Sequence, residues 1–323
     1  MTPRVALVTG VAGQDGSYLF ERLAAEGTVV HGLLHPDHGL LEAPLAGADA
    51  LVTHRLDLAD LDGLAGLVRE VAPDEIYNLG GISSVARSWE EPALTGVVSG
   101  VSVAALLDAA LAVQEDTGRG VRFLQASSSE IFGQADRAPQ DETFPLAPVS
   151  PYGAAKAYAH RMTGIYRARG LHAVAVILYT HESPRRPPTF VARKISTTVA
   201  EIARSGGGTL TLGNLEARRD WGWAPDYVDA MVRAVRHDVA EDLVLATGQT
   251  HSVADFVRTA FAHVGIEDWQ AHTVSAPELI RPADAAEQCG DATRARDLLG
   301  WTPTTTFTDI VHAMVDHDLG TAG

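Results

Sequence analysis

Lysine is almost missing from this chain. Only Lys156 and Lys194 occur among 25 basic residues, so arginine fills every other cationic position. Cysteine is scarcer still, because Cys289 stands alone. That excludes an internal disulfide and any thiolate metal cluster, no metal is expected, and a reducing cytoplasm suits it. Positive charge is in deficit: 41 acidic residues give a formal charge of −16. That argues against nucleic acid as a partner, since phosphate backbones are held by basic surfaces. An anionic ligand must instead meet a local cationic site. Long uninterrupted apolar runs are absent too. The longest, "VVSGVSVAALLDAALAV", carries Gly100, Asp108 and two serines, which reads as a buried helix rather than a membrane span. The opening "MTPRVALVTG" enters an apolar strand within a few residues and leaves no room for a secretory leader. No internal repeat or low-complexity block occurs.

What is there is an ordinary globular composition of 46% hydrophobic and 20% charged residues over 323 positions, enough for a sizeable core and two subdomains. The first half alternates β-branched runs with longer helical patterns, the pattern of a parallel sheet with crossover helices. Strands are expected at residues 5–9, 29–34, 51–56, 75–79, 122–126 and 173–178, and helices near 17–26, 61–71, 93–117 and 152–168. The fold class is α/β, a Rossmann-like doubly wound parallel sheet with a smaller, mostly C-terminal substrate-binding domain, and ligands at the carboxyl ends of its strands. The second half holds "SPRRPPTF" and "RSGGGTLTLG", a helical "DYVDAMVRAV" and a strand-like "DLVLATG". No linker divides the halves, so the boundary is expected to interleave: 1–178 with about 226–248 for the dinucleotide, 179–225 and 249–323 for the substrate.

Directly after the first strand, "TGVAGQDGSYLFERL" places Gly10, Gly13 and Gly16 at the opening of a helix, with Gln14 and Asp15 between them. Such a loop lets backbone amides approach a pyrophosphate at a helix N-terminus. Asp57, in "HRLDLAD", either accepts from the adenine amino group or caps a helix. In "SPYGAAKAY", Tyr152 and Lys156 lie four residues apart on one helical face. Free tyrosine ionises near ~10. A neighbouring ammonium and a nicotinamide's positive charge would favour the phenolate, making it a base toward a sugar hydroxyl. Arginine's broad planar fork is no substitute, which explains a lysine kept here. "QASSSEIFG" ends a strand in hydroxyls. Ser128 suits a bond to the hydroxyl being oxidised, and Glu130 can move a proton from carbon to a leaving hydroxyl.

Together these motifs resemble the extended short-chain dehydrogenase/reductase superfamily. Within it, "GQDGSYL", "YNLG", "QASSSEIFG", "APVSPYGAAK", "HESPRRPPTFVARKI", "LGNLEARRDWGWAPDYV" and "GDATRARDLLGW" are similar to the GDP-mannose 4,6-dehydratase family, in order along nearly the whole chain. The resemblance implies transient oxidation at carbon-4, loss of water from carbons 5 and 6, and reduction at carbon-6. It makes Tyr152 the base at the carbon-4 hydroxyl, Lys156 its partner and a holder of the nicotinamide ribose, Ser128 the stand-in for the family's threonine, and Glu130 the proton carrier. It further implies that Arg219 and Arg281 grip the substrate's pyrophosphate, that Lys194 contacts the nucleotide, that Asp284 binds its ribose, and that Thr180 and Glu182 face the nucleotide-sugar.

The departures matter. Where the family has two arginines for the cofactor's 2′-phosphate, this chain has His35, Pro36 and Asp37, and an acid there accepts from a free ribose hydroxyl. NAD and NADP are both open. A homodimer through helices 93–117 and 152–168 is expected rather than a tetramer. Thr180 replaces asparagine, Pro187 and Pro188 replace glycine and glutamate, and Trp223 replaces a smaller polar residue, so the base or the sugar can differ. The alternatives are an epimerase or a dehydratase of another nucleotide-sugar on the same scaffold and, from a different class, a non-catalytic dinucleotide-binding regulator.

Overall fold

The computed structural model describes residues 3–37, 47, 50–279 and 285–320. Seven parallel strands form the central sheet: β1 (Val5–Thr9), β2 (Val29–Leu34), β3 (Leu51–Arg55), β4 (Glu75–Asn78), β5 (Arg122–Ser128), β6 (His172–Leu178) and, from the second half, β11 (Asp242–Leu245). Their order is β11-β6-β5-β4-β1-β2-β3. The order reverses beside β1, so the crevice at that switch point receives the glycine loop. All four residues of β4 are buried, as are the last six of β5. Helices cover both faces of such strands, so β1 (VALVT) and most of β6 (HAVAVIL) read as continuous rather than alternating apolar runs.

One face packs against α1 (Gln14–Ala25) and α8 (Ala224–Arg236), with Phe20, Met231 and Trp301 in its core. The other packs against α2 (Leu61–Val71), the helix running from α4 (Pro92–Gly96) into α5 (Ser102–Thr117), and α6 (Pro151–Ala168). α3 (Val85–Glu90) precedes them. Expected as one helix, 93–117 contains a π-helical turn, Val97–Val101, between α4 and α5. Pro92–Thr117 is long and apolar enough to cross a membrane by composition, but just over half of its most apolar stretch is buried within the fold. α6 starts where the sequence puts a cap: the Ser150 hydroxyl accepts from the Gly153 amide, with Pro151 in the first turn.

The remaining elements form a third core around Ile195, Trp221, Phe256 and Met314. It contains α7 (Val191–Ser205), α9 (Val253–His263) and α11 (Phe307–Leu319). Short strands tie it to the sheet: β7 (His181–Glu182) pairs with β10 (Gly222–Trp223), β8 (Leu210–Leu212) with β13 (Thr273–Ser275), and β9 (Arg218–Asp220) lies between β12 (Thr250–Ser252) and β14 (Glu287–Gln288). α10 (Thr293–Leu299) returns to the sheet beside β11. The buried Asp220 carboxylate accepts from the amides of Thr247, Gly248 and Gly290 and from the Thr247 hydroxyl, locking β9 to the segments after β11 and β14.

Candidate active site

The glycine loop is built by contact. Gly10 has a φ of +69°, and a Cβ on it would lie 2.9 Å from the Gly80 backbone after β4. A Cβ on Gly16 would lie 2.2 Å from the Gly10 carbonyl oxygen, and one on Gly13 3.2 Å from it. The loop therefore folds into a tight cradle at the N-terminus of α1, the geometry that presents amides to a pyrophosphate. That helix starts at Gln14, three residues earlier than expected, because Gly13 already caps it.

Early entry into the helix places Gln14 and Asp15 on its first turn, where their side chains reach the segment after β6. Gln14 donates to the His181 carbonyl and accepts from the Ser183 hydroxyl. Asp15 meets His181 Nε2 at 2.9 Å, while His181 Nδ1 donates to the Tyr179 carbonyl. Burial alone raises a carboxyl and lowers an imidazole. Here their mutual attraction overrides it, so Asp15 falls below its ordinary value and His181 rises above its own. Arg185 continues the seam with bonds to Ser17 and Glu21, its guanidinium 4.0 Å above the Tyr18 ring. Thus "GQDGSYL" and "HESPRR", far apart in sequence, recognise each other.

At the carboxyl end of β5, the Ser128 hydroxyl accepts from the Glu130 amide and begins the single turn Ser129–Ile131. Ser128 also faces the Tyr152 phenol from the first turn of α6. Burial pushes that phenol up to about 12, the Ser128 hydrogen bond opposing this and the Glu130 charge adding to it. Lys156 Nζ donates to the Ala126 carbonyl at 2.8 Å and stands 5.8 Å from the tyrosine ring centre. Burial lowers Lys156 to about 8. The lysine is thus anchored on β5 beside the phenol, and burial outweighs every other influence on Tyr152.

A polar chain missed in the sequence runs beneath these groups. The Gly80 amide donates to the Thr9 hydroxyl, Thr9 to Asn78, Asn78 to Gln125, and Gln125 to the carbonyl that also receives Lys156. Asn78 and Gln125 are buried side-chain amides within strands of the central sheet, and an amide inside a strand was the signal available. Buried polar groups need partners, so the chain fixes the strand ends relative to one another.

The other expected positions are scattered more widely. Asp37 is exposed, 3.7 Å from His35 Nδ1, and Asp57 lies 3.8 Å from His35 Nε2. The other Asp57 oxygen accepts from the Ala59 amide. It is Asp60 that caps α2, so the capping alternative for Asp57 is set aside. Glu182 is buried beside Arg186, and burial raises its carboxyl against that guanidinium's pull. Thr180 gives its carbonyl to the Gly222 amide, and Trp223 pairs in register with Glu182. Two positions that depart from the family pattern therefore share one small sheet. Arg219 is buried and donates to the carbonyls of Arg218 and Ala285. Lys194 is half-buried on α7. Arg281 and Asp284 lie outside the described residues.

The model of the family described as GDP-mannose 4,6 dehydratase matches residues 7–314. The chain belongs to that family. Its relatives include GDP-mannose 4,6 dehydratase 1 of Arabidopsis thaliana, 40% identical over 98% of this chain and 90% of its own length. The Homo sapiens GDP-mannose 4,6 dehydratase is 40% identical over 98% and 91%, and that of Vibrio cholerae 38% over 98% and 94%. Among solved structures, a Streptomyces venezuelae dTDP-glucose 4,6-dehydratase with NAD and TYD bound superposes with a TM-score of 0.84 at 25% identity, covering 96% of this chain and 95% of that one. A Thermus thermophilus UDP-glucose 4-epimerase in complex with NAD gives 0.84 at 26%, covering 98% and 99%. The expected Rossmann-like fold is borne out, and family membership makes the chain a nucleotide-sugar dehydratase that works with a nicotinamide dinucleotide.

Proposed function

We propose that this chain converts GDP-mannose to GDP-4-keto-6-deoxymannose in the cytoplasm. The convergence of Ser128, Glu130, Tyr152 and Lys156 at the carboxyl end of β5 carries the reading. Residues 1–178 with 226–248 serve as the dinucleotide-binding domain, and 179–225 with 249–323 receive the nucleotide-sugar. The close-fitting Gly10, Gly13 and Gly16 cradle suits a dinucleotide pyrophosphate, and a bound nicotinamide would supply the transient oxidation at carbon-4 and the reduction at carbon-6.

The chain's own residues do the rest. Tyr152 takes the carbon-4 hydroxyl proton, with Ser128 orienting that hydroxyl. A phenol pushed up to about 12 needs a positive neighbour to act at neutral pH; the Lys156 ammonium stands beside it, and an oxidised nicotinamide would add to that charge when bound. The new carbonyl acidifies carbon-5, Glu130 removes that proton, and the same carboxyl returns it to the departing carbon-6 hydroxyl as water. Arg219 and Arg281 grip the diphosphate, Lys194 contacts the nucleotide, Asp284 binds its ribose, and Thr180 and Glu182 line the sugar side. The Asp37 and Asp57 carboxylates beside His35 favour NAD over NADP, because a 2′-phosphate would approach two negative charges.

Mass spectrometry of GDP-, UDP-, dTDP- and CDP-sugars after incubation should show water lost from GDP-mannose first, and Glu130→Gln should abolish the loss. Calorimetric titration should find NAD bound more tightly than NADP. Absence of water loss from every sugar overturns the reaction, and tighter NADP binding overturns the cofactor choice.

A further inference from the structure

Glu130 has one partner that nothing in the proton-carrier role explains. Gln288 Nε2 donates to Glu130 Oε1 at 3.2 Å, across 158 positions of sequence. Gln288 is buried, and no other hydrogen bond or ion pair to the Glu130 carboxylate is formed among the described residues. The donor comes from β14, whose Gln288 pairs in register with Arg219 of β9. The segment is held firmly: the Gln140 amide donates to the Cys289 carbonyl, the Asp291 amide to the Gln140 carbonyl, and the Gly290 amide to Asp220. A Cβ on Gly290 would lie 2.5 Å from the Ala246 methyl and 2.7 Å from the Tyr179 ring, so the strand runs tight against the sheet.

We propose that Gln288 is a positioning residue for Glu130, which carries the substrate-binding side of the molecule into contact with the proton carrier. The inference rests on the dehydratase reading above. A neutral amide suits the task. It fixes one carboxylate oxygen and leaves Oε2 to exchange the proton, whereas a cation here would weaken the base and an apolar side chain would leave it unaligned. Because Gln288 and Arg219 are neighbours on paired strands, gripping the diphosphate also steadies the amide. Remote binding is thereby spent on alignment at the reacting carbons.

The test is Gln288→Leu, similar in size and without a donor. Bonds to charged groups of this kind convert to a roughly ten- to hundredfold effect. We expect kcat for water loss to fall by about that factor while KM for the nucleotide-sugar changes less than about threefold. Thermal unfolding of Gln288→Leu, Glu130→Ala and the double variant should be non-additive, as for two side chains in contact. An unchanged kcat, a loss carried by KM, or additive Tm shifts would each overturn the proposal. If the wild type dehydrates no sugar, the reaction reading fails, and the unfolding cycle still decides the contact on which this one stands.

Discussion

Asp15 and His181 form an ion pair that joins the cofactor cradle to the segment leading into the substrate side. Its contribution to stability has a defined pH window. Asp15 is depressed from an ordinary 3.8, so its share is present above that value and lost as pH falls through the lower folded one. His181 is raised from 6.5, so its share is full below 6.5 and lost as pH rises through the higher folded value. Asp15→Ala should therefore cost most between these two limits, about 3 kcal/mol for a largely buried pair. Urea unfolding of wild type and variant from pH 4 to 9 measures the gap, and a gap that does not narrow toward pH 9 would contradict the pairing. Tyr152 and Lys156 show the same principle in reverse: burial outweighs the pull of Arg186 on the phenol and of Asp15 on the ammonium, and each is pushed toward its neutral form.

Among the elements, α1 has the least tolerance. Its first turn lies so close to Gly10 that a methyl at Gly16 has nowhere to go except into backbone. Gly16→Ala should cost about 1–3 kcal/mol of overpacking and widen the cradle. The expected result is weakened binding of the dinucleotide in calorimetry, together with a lower Tm. Retained affinity would show that the loop yields without harm. The same tightness explains why the helix begins at Gln14. With Gly13 as its cap, Gln14 and Asp15 fall on the first turn and point at β7, so their side chains build the joint and the backbone amides are left for the anion. α6 shows a similar economy, carrying Tyr152 and Lys156 on its buried face and Tyr158 and Ile165 on its exposed one.

At the scale of the whole molecule, that outer face is unusual. Of nine large hydrophobics exposed among the described residues, Trp89, Leu94, Val101, Tyr158 and Ile165 come from the adjoining run α3, α4, the π turn and α6. A concentrated apolar patch marks an interaction surface, and we propose a homodimer through it. Ile165→Glu, at a residue 52% exposed, should yield a folded monomer in sedimentation velocity where the wild type sediments as a dimer. A monomeric wild type, or a variant that stays dimeric, would rule this face out.

The strands of the sheet were legible in the chain alone, since β1 and β2 match their expected limits and α2 does as well. Fully buried strands and capped helices are written in local patterns of apolar residues, glycine and proline. The site was half legible. Short-range spacing put Tyr152 over Lys156 and Ser128 beside Glu130, because helix and strand periods hold over a few residues. What joined β5 to α6, "GQDGSYL" to "HESPRR", and Gln288 to Glu130 was decided only by the tertiary structure. Such pairings lie more than a hundred residues apart in some cases and depend on which strand ends the sheet order brings together. The balance of charge at Tyr152 also belongs to the folded molecule, for composition names the neighbours of a phenol but the depth of its burial sets its proton affinity.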